Sequence, residues 1–184
     1  MKIVLASKSP RRKELMKELG LPFVVDAVEI AEEVDSSLSF GPAIEQIALQ
    51  KAMAMFPKYP KDLIIAADTL VCKGTTYMGK PKDEKSAFAM LKELSGTTHQ
   101  VITGVAMLKE DKKELFHVVS EVTFYDLEDE EIHAYLQTGE YKDKAGAYAI
   151  QGKGKLLVAK IEGDYYNIVG LPIAMVYRKL KQFL

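Results

Sequence analysis

The run from Leu63 to Val71 constrains the fold more than any other stretch of the chain. Its first five residues, Leu63-Ile64-Ile65-Ala66-Ala67, are all apolar, and Asp68 follows directly after them. A strand without a polar face must be covered on both sides, as in the sheets of α/β proteins. Because a buried carboxylate without a partner is costly, Asp68 is predicted at a strand end that faces a cation or a metal. The alternative is an aspartate that only caps the following turn.

Strands and amphipathic helices alternate along the chain, which predicts an α/β fold with a mixed, twisted sheet flanked by helices. Strands are expected where apolar runs occur, at 3–6, 63–71, 101–108, 116–124 and 156–161. Helices are expected where apolar residues recur at helical spacing, at about 10–19, 42–56, 83–95 and 129–137 and after Pro172. No linker or repeat divides the sequence, so a single domain over residues 1–184 is predicted.

Composition narrows the classes of function. The formal net charge is −1 over 184 residues, which argues against nucleic-acid binding because that function needs a broad basic surface. The single cysteine, Cys72, allows no intrachain disulfide and is typical of a reducing compartment. The first apolar run is too short for a signal peptide, and no stretch reaches the ~20 apolar residues that span a bilayer. We therefore expect a cytoplasmic protein that binds neither nucleic acid nor membrane.

The motif Ser7-Lys8-Ser9-Pro10-Arg11-Arg12 follows the first strand and opens the first helix. Ser9 is suited to the N-cap, and Pro10 is suited to the first helical position. The unpaired N–H groups of a helix start attract anions, and guanidinium groups match phosphate oxygens. A phosphate site with Ser7 and Arg12 and an ordinary capped helix with solvated arginines are about equally supported by this motif alone.

Weaker candidates lie between residues 29 and 80. The segment 74–80 matches a P-loop until Pro81 replaces the Ser or Thr that would bind Mg²⁺, so a hairpin loop with Lys80 near the same cleft is predicted instead. The acidic run 29–33 could supply a second metal ligand, although such a run is more often a solvated surface. Lys51, in the second helix, could contact phosphate or be an ordinary exposed lysine.

The remaining reactive residue types favour structural roles. His99, His117 and His133 lack the spacing of a zinc site and are interpreted as structural. Cys72 has no matching His/Asn arrangement, so a thiol nucleophile is not expected. The small and aromatic residues of 143–148 and 163–167 could line a base pocket or simply pack at turns.

Several motifs, in this order and across nearly the whole chain, resemble the Maf family of nucleotide pyrophosphatases. They are the segments 5–12, 67–69, 79–81, 95–101, 143–152 and 167–172. The resemblance implies a fold like that of the inosine triphosphate pyrophosphatases, a homodimer and a divalent metal cation, Mg²⁺, Mn²⁺ or Co²⁺. It also implies the reaction, a hydrolysis of nucleoside triphosphate to monophosphate and pyrophosphate.

The resemblance further implies roles for single residues. Asp68 corresponds to the proton acceptor, and Lys51 and Lys80 correspond to lysines of the active cleft. Glu32 is the best match to a family acidic residue, with Glu33 as the alternative register.

Substrate preference follows from three further positions. The family branch that acts on dTTP and UTP carries Arg, Thr and Gln there, and Arg11, Thr69 and Gln151 match all three. A sister branch acts on 7-methyl-GTP and differs at these positions. The resemblance therefore implies dTTP and UTP as substrates, together with base-modified pyrimidine triphosphates.

These residues suggest a mechanism. We expect Glu32 and Asp68 to hold the metal, and Asp68 to orient or deprotonate a water that attacks the α-phosphorus. The phosphate-binding groups are predicted to be Ser7, Arg12, Lys51 and Lys80. The alternatives are a nucleotide-binding regulator of septum formation with weak or no hydrolysis, a nucleic-acid-binding domain, and a nucleotidyl- or phosphotransferase. Whether an active enzyme clears unwanted nucleotides or regulates division stays open.

Overall fold

A computed structural model describes residues 2–35 and 37–184. The strands are β1 (Ile3–Leu5), β2 (Phe23–Val25), β3 (Leu63–Lys73), β4 (Thr76–Met78), β5 (Thr98–Lys109), β6 (Lys112–Phe124) and β7 (Val158–Glu162). The α-helices are α1 (Pro10–Lys17), α2 (Phe40–Met55), α3 (Glu84–Leu94), α4 (Asp129–Leu136), α5 (Tyr165–Val169) and α6 (Ile173–Leu180). Two 3-10 segments, Ala145–Ala147 and Gly152–Leu157, precede β7.

The strands form a mixed sheet in the order β2-β1-β3-β5-β6-β7, with β4 paired to β3. β1 runs parallel to β2 and to β3, with Ile3 opposite both Phe23 and Leu63. β4 is antiparallel to β3, and β7 is antiparallel to β6. The predicted mixed α/β sheet flanked by helices is confirmed.

The chain divides into two compact units. The first unit comprises Met1–Thr69, Thr103–Val118 and Gly170–Leu184, and the second unit comprises Leu70–Ile102 and Val119–Val169. A single functional domain over residues 1–184 stays a prediction.

The core of the first unit is built where α2 packs on the sheet. Small residues of α2, Ala48 and Ala52, are fully buried and allow the helix to lie close to the strands. On β3 they meet Ile64 and Ala66. Because side chains alternate along a strand, the next residue on this face is Asp68, and the following residue belongs to the opposite face.

Gly104 of β5 fixes how closely α2 approaches the sheet. A Cβ atom at this position would lie 2.6 Å from the carbonyl carbon and oxygen of Ile44 and 2.7 Å from the backbone nitrogen of Glu45. These are backbone atoms of α2 and could give way only if the helix moved. The absent side chain therefore sets the distance between β5 and the helix that carries Lys51.

In the second unit, β3 and β4 form a hairpin that turns at Gly74, whose φ is +57°. This hairpin is the predicted alternative to a P-loop. Asp83 caps α3 by accepting a hydrogen bond from the backbone nitrogen of Ser86, as the sequence predicts. α3 packs on α4, where the rings of Phe88 and His133 lie 4.7 Å apart.

The segment 143–152 of the second unit has an unusual backbone. Asp143, Gly146, Ala147 and Gly152 all have φ between +59° and +79°. Side chains disfavour this left-handed region, so Asp143 and Ala147 adopt it only because their surroundings impose it. Ala147 is fully buried, and Gly146 packs against Val71, with its would-be Cβ only 3.0 Å from a methyl carbon.

Some element boundaries differ from the sequence predictions. β2 was not predicted, because three residues with an exposed face give no periodic signal. The connection between the strands expected at 101–108 and 116–124 is shorter than predicted, since β6 begins at Lys112 and Glu110 takes φ of 52° to close the turn. α5 occupies most of the segment 163–167 that was predicted as a loop. Within the described residues, no helix is long and apolar enough to cross a membrane.

Candidate active site

Two polar residues interrupt the buried core of β3 and point to opposite faces of the strand. Leu63–Ala67 are buried, Asp68 and Thr69 are half-buried, and the strand is buried again from Leu70. Asp68 contacts α2, as strand alternation requires, while Thr69 contacts a side chain of α1. The pair therefore connects β3 to both helices at one level of the strand.

Lys51 joins two carboxylates on the α2 side. Its ammonium nitrogen lies 2.5 Å from Asp68 Oδ1 and 2.8 Å from Glu32 Oε1. The side chains of Lys51 and Asp68 are about one-fifth exposed, whereas that of Glu32 is 43% exposed. The second oxygen of Asp68 accepts no hydrogen bond from the residues described. It is free to accept one from a ligand or a water.

Gln50 holds the segment that carries Glu32. Its amide forms two hydrogen bonds with the backbone of Glu33, at 3.0 Å to the nitrogen and 2.7 Å to the carbonyl oxygen. Glu33 is thus engaged through its main chain, while the Glu32 side chain reaches Lys51. The sequence left Glu32 and Glu33 as alternative registers, and the ion pair favours Glu32.

On the opposite side, the start of α1 is arranged as its sequence predicts. Pro10 begins the helix, and Ser9 Oγ accepts a hydrogen bond from the backbone nitrogen of Arg12 at 3.4 Å. Ser7 is buried, and its hydroxyl oxygen accepts from the Ser9 nitrogen at 3.2 Å. The side chains of Ser7 and Arg12 also meet, at 3.4 Å.

Charge in this cluster is nearly balanced. Lys51 and Arg12 interact with the carboxylates Glu32 and Asp68, and Arg11 adjoins Arg12 in α1. Burial lowers the pKa of the Arg12 guanidinium, Asp68 and Glu32 counteract that effect, and Arg11 reinforces it. Burial also lowers the pKa of Arg11. Arginine nevertheless stays protonated, so the cluster presents positive charge that protein carboxylates only partly neutralise.

The two carboxylates also decide whether a divalent metal fits. Asp68 and Glu32 both place an oxygen within hydrogen-bond distance of one cationic nitrogen. Mg²⁺ binds proteins through one or two carboxylates and completes its shell with water and phosphate oxygens. Among the residues described, no group of three or more His, Cys, Asp or Glu side chains could hold a metal alone. The donor set therefore fits a metal that binds together with a phosphate ligand.

The second unit carries Lys80 and Gln151 on exposed positions. Neither side chain has a hydrogen bond or ion pair with the part of the chain described here. Their segments are joined through the backbone, because the Gly146 nitrogen donates to the Gly79 carbonyl at 3.2 Å.

Aromatic residues and Glu140 support the segment that leads to Gln151. Buried His99 lies 2.8 Å from the Tyr148 hydroxyl, and the ring of Phe124 meets both residues edge-on. The Ala149 nitrogen donates to the Tyr135 hydroxyl at 3.1 Å.

Glu140 accepts from the Lys153 nitrogen at 2.8 Å and lies where a side chain at Gly152 would be. Gln151 is therefore exposed, while the residues on either side of it are held by hydrogen bonds and packing.

His99 and Cys72 have the surroundings of structural residues. Burial lowers the pKa of His99 to about 4, and burial raises the pKa of the Cys72 thiol. A histidine that stays neutral and a thiol that resists ionisation are poor candidates for proton transfer or nucleophilic attack at neutral pH.

Comparison with known proteins identifies the family. The model of the family described as Maf-like protein matches residues 2–183. The chain belongs to the Maf family. A protein of Bacillus pumilus named dTTP/UTP pyrophosphatase is 48% identical over 181 residues, which cover 98% of this chain and 96% of that relative. A Bacillus velezensis protein of the same name is 47% identical over 182 residues, covering 99% and 96%.

The predicted resemblance to Maf proteins is thus confirmed. Of the Maf-type site residues, the first unit brings Glu32, Lys51 and Asp68 into one ion-pair cluster. It brings Ser7, Arg12 and Thr69 into one hydrogen-bonded group, and Arg11 adjoins Arg12 in α1. The roles assigned to these residues, and to Lys80 and Gln151, stay predictions.

Sequence reasoning missed two residues of this Maf site, Gln50 and Thr103. Thr103 is fully buried on β5, and its hydroxyl lies 2.8 Å from that of Thr69. Its only signal in the sequence is a hydroxyl within an otherwise apolar strand, which β propensity explains equally well. Gln50 lies next to Lys51 and gave no signal beyond its polarity.

Proposed function

We propose that this Maf protein hydrolyses dTTP and UTP, and base-modified pyrimidine triphosphates, to the nucleoside monophosphate and pyrophosphate. The observation that carries the proposal is Lys51, an ammonium that bridges Glu32 and Asp68 beside Arg12. A cluster of this kind offers cations to a polyanion and a carboxylate to a water molecule. Two relatives of nearly equal length that bear the name dTTP/UTP pyrophosphatase support the choice of substrates.

The barrier to the reaction is mostly one of positioning and charge. A nucleoside triphosphate brings close to four negative charges, and the transition state spreads charge over phosphate oxygens. Arg12 and Lys51 neutralise that charge, and Ser7 supports Arg12 and offers a hydroxyl. Lys80, from the second unit, has the same proposed role as a point charge.

Asp68 is the proposed proton acceptor. Lys51 fixes one of its oxygens, and the other accepts no hydrogen bond from the described residues. That second oxygen can take a proton from, or orient, the water that attacks the α-phosphorus. Pyrophosphate then leaves, and Arg12 and Lys51 neutralise the charge that it carries away.

A divalent cation, Mg²⁺, Mn²⁺ or Co²⁺, would be held by Glu32 and Asp68. When bound, it would supply further charge neutralisation and a lower pKa for a coordinated water. Lys51 contacts one oxygen of each carboxylate, so the metal would bind beside the lysine on the same two groups. We expect Glu32→Gln to raise the Mg²⁺ concentration for half-maximal activity about tenfold. Glu33→Gln is the matched control and should leave it unchanged; an equal shift in both variants would contradict the assignment.

Base selection is assigned to Arg11, Thr69 and Gln151. The Gln151 amide offers two N–H donors and one acceptor, which suits the edge of uracil or thymine. Its exposure and lack of a hydrogen bond within the described segments leave all these groups available.

We also propose that the enzyme acts as a homodimer in the cytoplasm and binds neither nucleic acid nor membrane. The family resemblance supports the dimer, and the net charge of −1 supports the lack of nucleic-acid binding. Analytical ultracentrifugation of the purified chain tests the dimer, since a monomer at micromolar concentration would contradict it.

The function is tested by pyrophosphate release from dTTP, UTP, CTP, 7-methyl-GTP and ITP, each with Mg²⁺ and with EDTA. We expect release from dTTP and UTP to exceed the others by an order of magnitude or more. Preference for 7-methyl-GTP would contradict the substrate assignment. Tight nucleotide binding without release would instead favour a regulatory nucleotide-binding protein, and transfer to an acceptor other than water would favour a transferase.

A further inference from the structure

The guanidinium of Arg12 is held by the protein along one edge. Its Nε donates to the carbonyl oxygen of Gly170 at 2.7 Å, and its Nη2 donates to Thr69 Oγ1 at 3.0 Å. These two N–H groups point along the same edge of the planar group. Nη1 makes a longer contact with Ser7 Oγ at 3.4 Å. Nη1 and Nη2 each keep a second N–H that donates to none of the residues described.

The two nitrogens that keep these N–H groups, Nη1 and Nη2, form the outer end of the guanidinium. Arginine binds phosphate oxygens best as a planar fork, in which two parallel N–H groups reach two oxygens. Such a fork is effective only if the plane of the group is fixed before the ligand arrives. The carbonyl of Gly170 and the hydroxyl of Thr69 together define that plane for Arg12.

The hydroxyl of Thr69 is itself oriented by a second hydroxyl. Thr103 Oγ1 lies 2.8 Å from Thr69 Oγ1, and either oxygen can donate. Thr103 is fully buried on β5, whereas Thr69 is half-buried. The hydrogen bond between them restrains rotation of the Thr69 side chain and keeps an oxygen lone pair toward Arg12. The side-chain contacts therefore run from Thr103 on β5, through Thr69 on β3, to Arg12 on α1.

We propose that Thr103 is a positioning residue for the reaction: through the Thr69 hydroxyl, it fixes the Arg12 guanidinium so that its outer end meets the substrate phosphates. This inference rests on the proposed function. It also gives Thr69 a second role besides base selection, that of orienting Arg12, because its hydroxyl accepts a hydrogen bond from Arg12. Thr103 itself touches no substrate in this arrangement.

The direct test replaces the hydroxyl while keeping the shape of the side chain. We expect Thr103→Val to lower kcat/KM for dTTP on the order of tenfold, and Thr103→Ser to retain it within about threefold. The matched control is Thr123→Val, which removes a similar hydroxyl pair, Thr98 with Thr123 at 2.9 Å, in the second unit. That control should leave kcat/KM unchanged. Thr103→Ala replaces the valine variant if the latter does not fold.

A double-mutant cycle distinguishes positioning from a general structural effect. Lysine at position 12 cannot use the Nε–Nη2 edge, so Arg12→Lys removes the group on which Thr103 acts. In that background, Thr103→Val should cause no further loss of kcat/KM. If the losses multiply instead, Thr103 does not act through Arg12 and the inference is wrong.

Binding of pyrophosphate provides a readout besides turnover. We expect its inhibition constant to rise on the order of tenfold in Thr103→Val and to stay near the wild-type value in Thr103→Ser. An unchanged inhibition constant in Thr103→Val would overturn the inference while the wild-type chain remains active. A wild-type chain that releases no pyrophosphate from any nucleotide would overturn the proposed function instead, so the two failures are distinguishable.

Discussion

In the first unit, the predicted site residues bind one another, whereas in the second unit they bind no described side chain. Lys51 and Arg12 are oriented by side-chain contacts with Asp68 and Thr69. Lys80 and Gln151 are exposed, and only the backbone of their segments is held. The first arrangement suits charge and proton chemistry, which need fixed groups. The second suits groups that must adapt to a ligand.

Mutations in the two units should therefore differ in their effects on stability and on turnover. Changes in the first unit that leave a side chain without its partner should affect both, because each side chain there contacts another. Changes at the exposed residues of the second unit should affect turnover alone.

The largest effect is expected at Asp68. Asp68→Asn keeps the shape of the side chain but removes the proton acceptor, so kcat for dTTP should fall by about 10³-fold or more. The thermal unfolding midpoint should change little, because the amide oxygen can still accept from Lys51. Steady-state kinetics and calorimetry measure the two quantities. Near wild-type turnover in a folded Asp68→Asn variant would show that another group accepts the proton.

A smaller loss of turnover is expected at Lys51, together with a loss of stability. Lys51→Met leaves Glu32 and Asp68 without their shared cation, which should cost about 1–3 kcal/mol of unfolding free energy and on the order of 10²-fold in kcat/KM. The matched control is Lys58→Met, since Lys58 is 65% exposed and its ion pair is with a single carboxylate among the described residues, that of Asp26. Chemical denaturation should distinguish the two variants; equal stabilities would mean that the bridge does not support the fold.

At Gln151, turnover should change without stability. Gln151→Ala should lower kcat/KM for UTP on the order of ten- to hundredfold and reduce the preference for UTP over CTP. The unfolding midpoint should match that of the wild type, because the amide makes no hydrogen bond within the described residues. A destabilised variant with unchanged preference would reverse the assignment.

The smallest effect on activity is expected at His99, where pH governs stability instead. Burial lowers its pKa from 6.5 to about 4. Between these two pH values, His99 therefore binds a proton in the unfolded chain but not in the folded chain. The contribution of His99 to the free energy of unfolding should therefore be fully present above pH 6.5. It should fall by about 1.4 kcal/mol per pH unit as the pH drops from 6.5 toward 4. His99→Gln should remove this slope between pH 6.5 and 4.5. His133→Gln, at an exposed position, should leave it intact.

Most of the framework could be predicted from the sequence, because its signals are local. The apolar run before Asp68 predicts a covered strand, and Ser9-Pro10 predicts the start of α1, which lies where expected. β2 and α5 could not be predicted, since a strand of three residues and a helix of five residues depend on tertiary contacts for their stability. In α5, buried Asn167 supplies such contacts by donating to the Val101 carbonyl and to Ser120.

The candidate site was predictable to a smaller extent. Lys51 looked like an ordinary surface lysine, since its partner Asp68 is distant in sequence and reaches it only because α2 covers β3. Thr103 and Gln50 left no usable pattern for the same reason. Motif resemblance supplied the roles of Glu32 and Gln151, which local physics alone did not distinguish from solvated residues.

The absent side chain at Gly104 bears on how mutations in this protein should be interpreted. Gly104→Ala would press a methyl group against the backbone of Ile44 and Glu45 and displace the helix that carries Lys51 about two turns further on. In a genetic screen, such an allele would be scored beside the catalytic ones, although glycine contributes no chemistry. Tolerance to substitution at this position therefore reflects the placement of a helix. The set of positions at which mutation abolishes activity would be larger than the set of residues that take part in the reaction.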